Sequence, residues 1–155
     1  MIDLTSDVLV ERVTNINDQY FFGYYDMSPE SPDGTKVLVN KPRFIDHMPM
    51  VDDELEIGYI DLTAKSFNKI AETHAWNFQE GCRLQWLSDD FILFNDRGHT
   101  DGKSIKSYKY CVSSKKIVDE YSLPIYSVSI KRQIALSYNF FNNRSVSYTH
   151  LRAHE

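Results

Sequence analysis

Two short segments of this 155-residue chain combine aromatic rings with amide, carboxylate and guanidinium groups. The first covers residues 24–26, and the second covers residues 76–83. Aromatic faces suit the apolar C–H faces of a sugar ring, and polar neighbours satisfy its hydroxyl groups. The two segments therefore predict a site for a carbohydrate or another polar ligand. The predicted ligand-binding residues are Tyr24, Tyr25, Asp26, Trp76, Gln79, Glu80 and Arg83.

The aromatic residues of these segments also have a structural interpretation. Tyr24, Trp76 and the nearby Trp86 could pack between structural units, because large aromatic side chains are mostly buried. Trp86 lies within the apolar run 84–87, which favours the core for this residue.

Arg83 has two interpretations as well. It is flanked by apolar residues in a strand-like segment, so its side chain should point to the opposite side from theirs. There it could hold a carboxylate or phosphate of a ligand. It could equally form an ion pair with Glu80 or with an acid of a neighbouring unit.

Other kinds of site lack their sequence signatures. Of the histidines at positions 47, 74 and 99, no pair has the local spacing of metal ligands, so no metal site is predicted. The chain also contains no Gly-x-Ser-x-Gly nucleophile motif and no glycine-rich phosphate loop. The sequence identifies no cofactor and no catalytic residue, and whether the protein is an enzyme stays open.

Charge and hydropathy exclude some classes of partner. The net charge of −5 and the isoelectric point of about 5.5 provide no basic surface for the phosphates of a nucleic acid. The apolar run 8–10 near the amino terminus is too short for the core of a signal peptide. No stretch approaches the roughly 20 apolar residues of a membrane span. We therefore expect a cytoplasmic protein that binds neither nucleic acid nor membrane, while a protein partner stays possible.

The elements that must position the two segments form a repeat. A polar turn followed by a short apolar strand occurs at residues 31–40, again at residues 87–95, and more weakly at residues 129–139. Each copy ends in an asparagine, and these three asparagines are 55 and 44 residues apart. A strand, a polar turn and a further strand follow the first two copies. Four short strands in a period of about 40 to 50 residues are typical of one blade of a β-propeller.

The repeat predicts an all-β fold, namely a fragment of a β-propeller with about two four-stranded blades and the start of a third. A helix over residues 61–71 is an alternative, but these residues coincide with the repeated hairpin, so we expect a hairpin there. The predicted divisions are an amino-terminal segment 1–18 that could be a ring-closing strand, blade 1 at 19–74, blade 2 at 75–124, the start of blade 3 at 125–145, and a tail at 146–155.

The Ser-Pro-Asp-Gly turn at residues 31–34, repeated at blade spacing, resembles the WD40-like repeats of TolB-type propellers. Residues 21–29 and 75–86 are similar to uncharacterised bacterial propellers related to TolB-like and oligogalacturonate-lyase-like proteins. The resemblance spans roughly residues 15–143. The second and third copies lack the Pro-Asp-Gly of the first, so the repeat is degenerate.

The resemblance implies an alternative function, a lyase that acts on uronate oligosaccharides. Such chemistry needs a base that removes the proton α to a carboxylate and a cation that stabilises the resulting charge. His47 or His74 would be the base, and Arg83 would be the cation. A third possibility is a protein-interaction scaffold, since propellers host binding modules and enzymes alike.

The carboxyl-terminal segment has a separate interpretation. Residues 146–155 read Val-Ser-Tyr-Thr-His-Leu-Arg-Ala-His-Glu, which resembles one reading frame of the transposase adapter used to prepare sequencing libraries. We therefore expect the natural sequence to be interrupted near Ser145 and the tail to be non-native. The alternative is a natural polar tail.

Overall fold

The computed structural model describes residues 11–97, 104–138 and 146–150. Within these ranges the chain forms ten β-strands, one 3₁₀ turn at Ile130–Arg132, and no α-helix. Alternating and β-branched sequence patterns account for the strands, because such side chains fit a pleated, half-buried surface. The strands are β1 (Lys36–Pro42), β2 (Leu55–Asp61), β3 (Ser66–Thr73), β4 (Gln85–Trp86), β5 (Phe91–Arg97), β6 (Ile105–Cys111), β7 (Lys116–Tyr121), β8 (Ile125–Ser129), β9 (Ile134–Tyr138) and β10 (Val146–His150).

The strands form three antiparallel sheets in which each strand pairs with the next one in the chain. The first sheet has the order β1-β2-β3, the second β4-β5-β6-β7, and the third β8-β9-β10. In the first sheet an isolated bridge between Glu30 and Val37 occupies the place that β4 occupies in the second. The two sheets are therefore copies of one four-stranded unit, and the predicted all-β class is confirmed.

Equivalent turns support this equivalence. The Ser31 amide donates to the Lys36 carbonyl (2.9 Å), and the Leu87 amide donates to the Phe91 carbonyl in the same way (2.8 Å). The hairpins β2-β3 and β6-β7 each turn through a lysine with positive φ, Lys65 at 51° and Lys115 at 54°. The predicted hairpin over residues 61–71 is thus confirmed, and the helix alternative was wrong.

The Ser-Pro-Asp-Gly turn is organised around one carboxylate. Asp33 Oδ1 accepts hydrogen bonds from the Ser31 hydroxyl (2.6 Å), the Thr35 hydroxyl (2.8 Å) and the Thr35 amide (3.0 Å). These donors, with Ser31 the largest contribution, hold the pKa of Asp33 well below its ordinary value. Gly34 follows with a φ of 69°, a left-handed conformation that glycine adopts without strain.

We expect this carboxylate to make folding stability depend on acid. Because the folded pKa is depressed, its contribution is present above the unfolded pKa of about 4 and is lost as pH falls towards the folded pKa. Between about pH 5 and pH 2 the wild type should therefore lose more thermal stability than Asp33→Asn, measured by circular dichroism. Asp52→Asn, which makes the same charge change in a loop, should follow the wild-type profile. Parallel profiles for Asp33→Asn and the wild type would contradict the prediction.

The hydrophobic core lies between the first and second sheets. Leu38, Leu55 and Ile57 of the first sheet pack with residues of the second, and all are buried. Trp86 is 6% exposed, and its indole N–H donates to the Pro29 carbonyl (2.9 Å), so the core interpretation of this residue is confirmed. The other members are Cys82 and Leu84 in the segment that leads into β4, and Trp86, Ile92, Phe94 and Tyr110 in the second sheet.

A smaller cluster of Leu93, Ile125 and Ala135 joins the second sheet to the third. Each sheet therefore packs against the next one in the chain, and the apolar side chains between them are buried away from water. No helix within the described ranges has the length and apolar character needed to cross a membrane.

The structure does not test two predictions, the ring-closing strand and the non-native tail. The run 8–10, central to the proposed ring-closing strand, lies outside them. The tail residues 146–150 form β10, which pairs with β9 in antiparallel register. Backbone pairing does not identify the origin of a segment, so the non-native tail and the blade boundaries stay predictions.

Candidate ligand-binding site

The candidate site lies where linkers enter the sheets. Residues 19–29 lead into the first sheet, and residues 74–84 lead from β3 into β4. The loop 43–54 between β1 and β2 reaches the same place, because the Trp76 indole N–H donates to the Asp53 carbonyl (2.8 Å). Loops at one end of the sheets thus bring together segments that are distant in sequence.

Arg83 is the central residue of this region. It has a φ of 59°, which is uncommon for a residue other than glycine, and its side chain is 1% exposed. Its two terminal nitrogens bind Asp26 as a bidentate pair, with Nη1–Oδ1 at 3.1 Å and Nη2–Oδ2 at 2.9 Å. Nε donates to the Tyr126 carbonyl (2.9 Å), and the guanidinium carbon lies 3.7 Å from the centre of the Tyr126 ring.

This arrangement connects all three sheets. Asp26 precedes the first sheet, Arg83 precedes the second, and Tyr126 lies on β8 of the third. Of the two interpretations of Arg83, the structure contains the ion pair with an acid of a neighbouring unit, and that acid is Asp26 rather than Glu80. A bidentate carboxylate and a stacked ring leave little of the guanidinium for an anionic ligand.

Tyr24 and Tyr25, which directly precede Asp26 in the chain, form an aromatic pair. The rings of Tyr24 and Tyr25 have centres 4.2 Å apart, and Tyr25 is 86% exposed. A hydrogen bond with Tyr25 is the main cause that raises the pKa of Tyr24, while a hydrogen bond with Gln79 acts in the opposite direction. Tyr24 is half-buried and Gln79 is exposed, so the Tyr25 ring and the Gln79 amide are the parts of this group that face solvent.

Trp76 belongs to a separate aromatic group. Its ring centre lies 5.2 Å from Phe78, 5.8 Å from Phe44 and 6.4 Å from Phe21. Trp76 therefore packs mainly against other aromatic rings, as the structural interpretation of this residue expects. A cleft of about 160 Å³ still borders Trp76, and Glu80 and Arg83 also line it.

A larger cleft of about 530 Å³ lies on the other side of Asp26. It extends between the start of the first sheet and β8 of the third sheet. Two carboxylates, Asp26 and Glu30, and the buried amide of Gln85 contribute to its lining. Among the described residues that line this cleft, the charged side chains are those of Asp26 and Glu30.

The two histidines of the lyase alternative lie in different surroundings. The His47 ring stacks on Phe44 with centres 3.9 Å apart, and its Nδ1 lies 2.8 Å from Asp46 Oδ1. The His74 ring lies between Glu54 (3.6 Å) and Asp96 (3.9 Å). Within the part of the chain that the structure describes, no group of three or more His, Cys, Asp and Glu side chains has an arrangement that could hold a metal ion.

Sequence reasoning missed Tyr126 and Gln85. Tyr126 stacks on Arg83, and the Gln85 side-chain amide donates to the Arg83 carbonyl (3.1 Å). Their positions in the innermost strands β8 and β4 were the available signal, since those strands surround the axis of a propeller.

Comparison with known proteins identifies the fold. No family model matches the chain, and no curated protein matches it. The β-propeller domain of the trilobed protease from Pyrococcus furiosus, a solved structure with an open velcro topology, is similar to it with a TM-score of 0.50 and 19% sequence identity. The match covers 79% of this chain and 38% of that chain, so this chain spans well under half of its length. The predicted propeller fold is confirmed, and the chain is a β-propeller fragment whose sheets are blades.

Proposed function

We propose that this propeller is a binding module for a neutral carbohydrate or a similar polar, uncharged ligand at the channel mouth. The observation that carries the proposal is the Tyr24–Tyr25 pair, in which the Tyr25 ring is exposed, with the Gln79 amide hydrogen-bonded to Tyr24. Aromatic faces bind the C–H faces of a sugar, and an amide both donates to and accepts from its hydroxyls. The Arg83–Asp26 ion pair anchors the backbone next to the two tyrosines, because Asp26 directly follows Tyr25 in the chain.

The charges around the tyrosine pair favour a neutral ligand. The Arg83 guanidinium is already bound by Asp26, and the adjoining clefts contain the carboxylates of Asp26, Glu30 and Glu80. In the larger cleft a uronate would be repelled by Asp26 and Glu30, the charged residues among those described there, whereas Arg97 accompanies Glu80 in the smaller cleft. The lyase alternative thus has no support from the geometry of Arg83, and the relation to TolB-like and oligogalacturonate-lyase-like proteins stays a prediction, as does the cytoplasmic location.

The test is isothermal titration of the full chain with neutral gluco-, xylo- and galacto-oligosaccharides and with oligogalacturonate. We expect at least one neutral oligosaccharide to bind and oligogalacturonate to bind more weakly. Tyr25→Ala should weaken the binding about tenfold or more, because aromatic anchors carry most of the affinity of such surfaces.

Ile117→Ala provides the matched control. Ile117 is 51% exposed on the outer strand β7 and is not among the described residues that line the two clefts. Its affinity should equal that of the wild type. Equal affinity of Tyr25→Ala and the wild type for a ligand that does bind would refute the site, and preferential binding of oligogalacturonate would refute a neutral ligand.

A further inference from the structure

The loop 43–54 between β1 and β2 exposes an unusual amount of apolar surface. Ile45 is 63% exposed, Met48 is 70%, Met50 is 71% and Val51 is 60%. Single exposed apolar residues are ordinary on protein surfaces, but four within seven positions concentrate exposed apolar surface on one loop, and such concentration marks an interaction site. We call these four residues the apolar patch.

The backbone beneath the apolar patch is fixed. Phe44 at its start stacks on His47 and packs against Trp76, while the Trp76 indole binds the Asp53 carbonyl at its end. A turn closes the loop between these anchors, with Met50 N donating to Asp53 Oδ2 (2.7 Å) and Asp53 N donating to the Met50 carbonyl (3.1 Å). A binding surface held in this way loses little conformational entropy when a partner binds.

The surroundings of the apolar patch are acidic. The loop contains four carboxylates and one arginine, Arg43, which binds Glu54 (2.8 Å) and Glu72 (2.9 Å). Arg43 is therefore neutralised, and the carboxylates of Asp46 and Asp52 flank the patch on either side in sequence. Asp46 is 83% exposed at its side chain and can face a partner.

These observations together identify the kind of partner. An anionic membrane surface would be repelled by the flanking acids, and a second copy of the chain would place like charges opposite each other. Methionine is flexible and polarisable, so a surface containing two methionines adapts to varied apolar groups. We propose that the apolar patch binds a basic amphipathic segment of another protein, whose lysines or arginines surround its apolar anchors. This interaction is independent of the ligand site at the tyrosine pair.

The experiment uses the full chain and two helical 15-residue peptides, one of leucine and lysine and one of leucine and glutamate, measured by fluorescence anisotropy. The lysine peptide should bind, and the glutamate peptide should bind at least tenfold more weakly. Met48→Ser/Met50→Ser should reduce affinity for the lysine peptide at least tenfold, because hot-spot residues contribute most of the binding free energy. Raising the salt concentration from 0.1 M to 0.5 M should reduce it several-fold.

Ile117→Ser/Val118→Ser is the matched control, since these residues are 51% and 46% exposed on the outer strand β7. This variant should keep the wild-type affinity, which separates the apolar patch from exposed apolar surface elsewhere on the protein. Equal loss in both double variants would overturn the proposal. It would also be overturned if the wild type bound phosphatidylserine vesicles as strongly as the lysine peptide, or if sedimentation showed a dimer that Met48→Ser/Met50→Ser dissociates.

Discussion

Replacing Arg83 with methionine is expected to lower the free energy of unfolding by about 3 kcal/mol. The Arg83 side chain is 1% exposed and binds Asp26 with two nitrogens and the Tyr126 carbonyl with a third. Methionine retains the unbranched stem but none of these donors, so the Asp26 carboxylate and the Tyr126 carbonyl lose their partner. Asp26 is 33% exposed at its side chain, and water can therefore replace part of what it loses. For this reason the expected loss of unfolding free energy lies at the lower end of the range for removing one partner of a buried ion pair.

Urea denaturation of the full chain, followed by circular dichroism, measures this effect. Arg43→Met is a matched control, because Arg43 also binds carboxylates at 2.8 and 2.9 Å but is 54% exposed at its side chain. An exposed pair contributes little, so this variant should lose about 0.5 kcal/mol. Similar losses in the two variants would show that burial of Arg83 does not determine its contribution.

A double-mutant cycle separates the ion pair from the other contacts of Arg83. In an Asp26→Asn background, Arg83→Met should cost about 1 to 2 kcal/mol less than in the wild type, because the charged partner is already absent. An unchanged cost would assign the whole effect to Tyr126 and to packing.

The strands and turns could be predicted from the sequence because they depend on neighbouring residues. The alternation of side chains predicts strands, and the Ser-Pro-Asp-Gly turn requires only residues that are adjacent in the chain. Repetition of these local patterns then indicates blades. The hairpin at β2-β3 was correctly preferred to a helix for this reason.

The contacts of the site could not be predicted because they depend on how the blades are placed. Asp26 and Arg83 are 57 residues apart, and Tyr126 is 43 residues beyond Arg83. Neither separation has a local signature. The positive φ of Arg83 likewise contradicts the expectation of a regular strand, so simple alternation did not give its direction.

The separation of Trp76 from the tyrosine pair has the same origin. Trp76 and Gln79 are three residues apart, and the sequence placed them in one ligand site. The loop 43–54 instead supplies Phe44 and the Asp53 carbonyl, which engage Trp76 in an aromatic group. Which side chains a long loop contacts is set by the packed structure and not by the order of residues.

The asparagine that ends each repeat was used to measure the repeat spacing, but the sequence did not indicate its structural role. Asn40 and Asn95 lie at equivalent positions of β1 and β5, and both are buried. The Asn95 side chain donates to the Ile125 carbonyl (2.9 Å) and accepts from the Ile125 amide (2.9 Å) and the Ser107 hydroxyl (2.7 Å). It therefore binds the start of the third blade to the second.

Asn40 makes fewer contacts. Its side-chain amide donates to the Phe22 carbonyl, and its buried Oδ1 has no hydrogen-bond partner among the described residues. The two asparagines differ in hydrogen bonding because their partners on the neighbouring strand differ. Asn95 pairs with Ser107 of β6, whereas Asn40 pairs with Ile57 of β2. A hydroxyl in one blade is thus replaced by an apolar side chain in the other.

We accordingly expect Asn95→Ala to cost about 3 kcal/mol of unfolding free energy and Asn40→Ala about 1 kcal/mol. The first variant leaves the Ile125 carbonyl and the Ser107 hydroxyl with fewer partners in a buried environment. The second removes one hydrogen bond but also removes an acceptor that was unsatisfied, so part of its cost is offset. Because both substitutions delete the same atoms from buried positions, cavity formation should contribute similarly to each.

Urea denaturation compares the two variants, and hydrogen exchange locates the change. Asn95→Ala should speed exchange in β8 and β9 more than in β1 and β2, since Ile125 begins the strand that Asn95 holds. Equal costs with uniform exchange would mean that the asparagines act only by filling space. A larger cost for Asn40→Ala would mean that its contact with the linker at Phe22 outweighs the contact between blades.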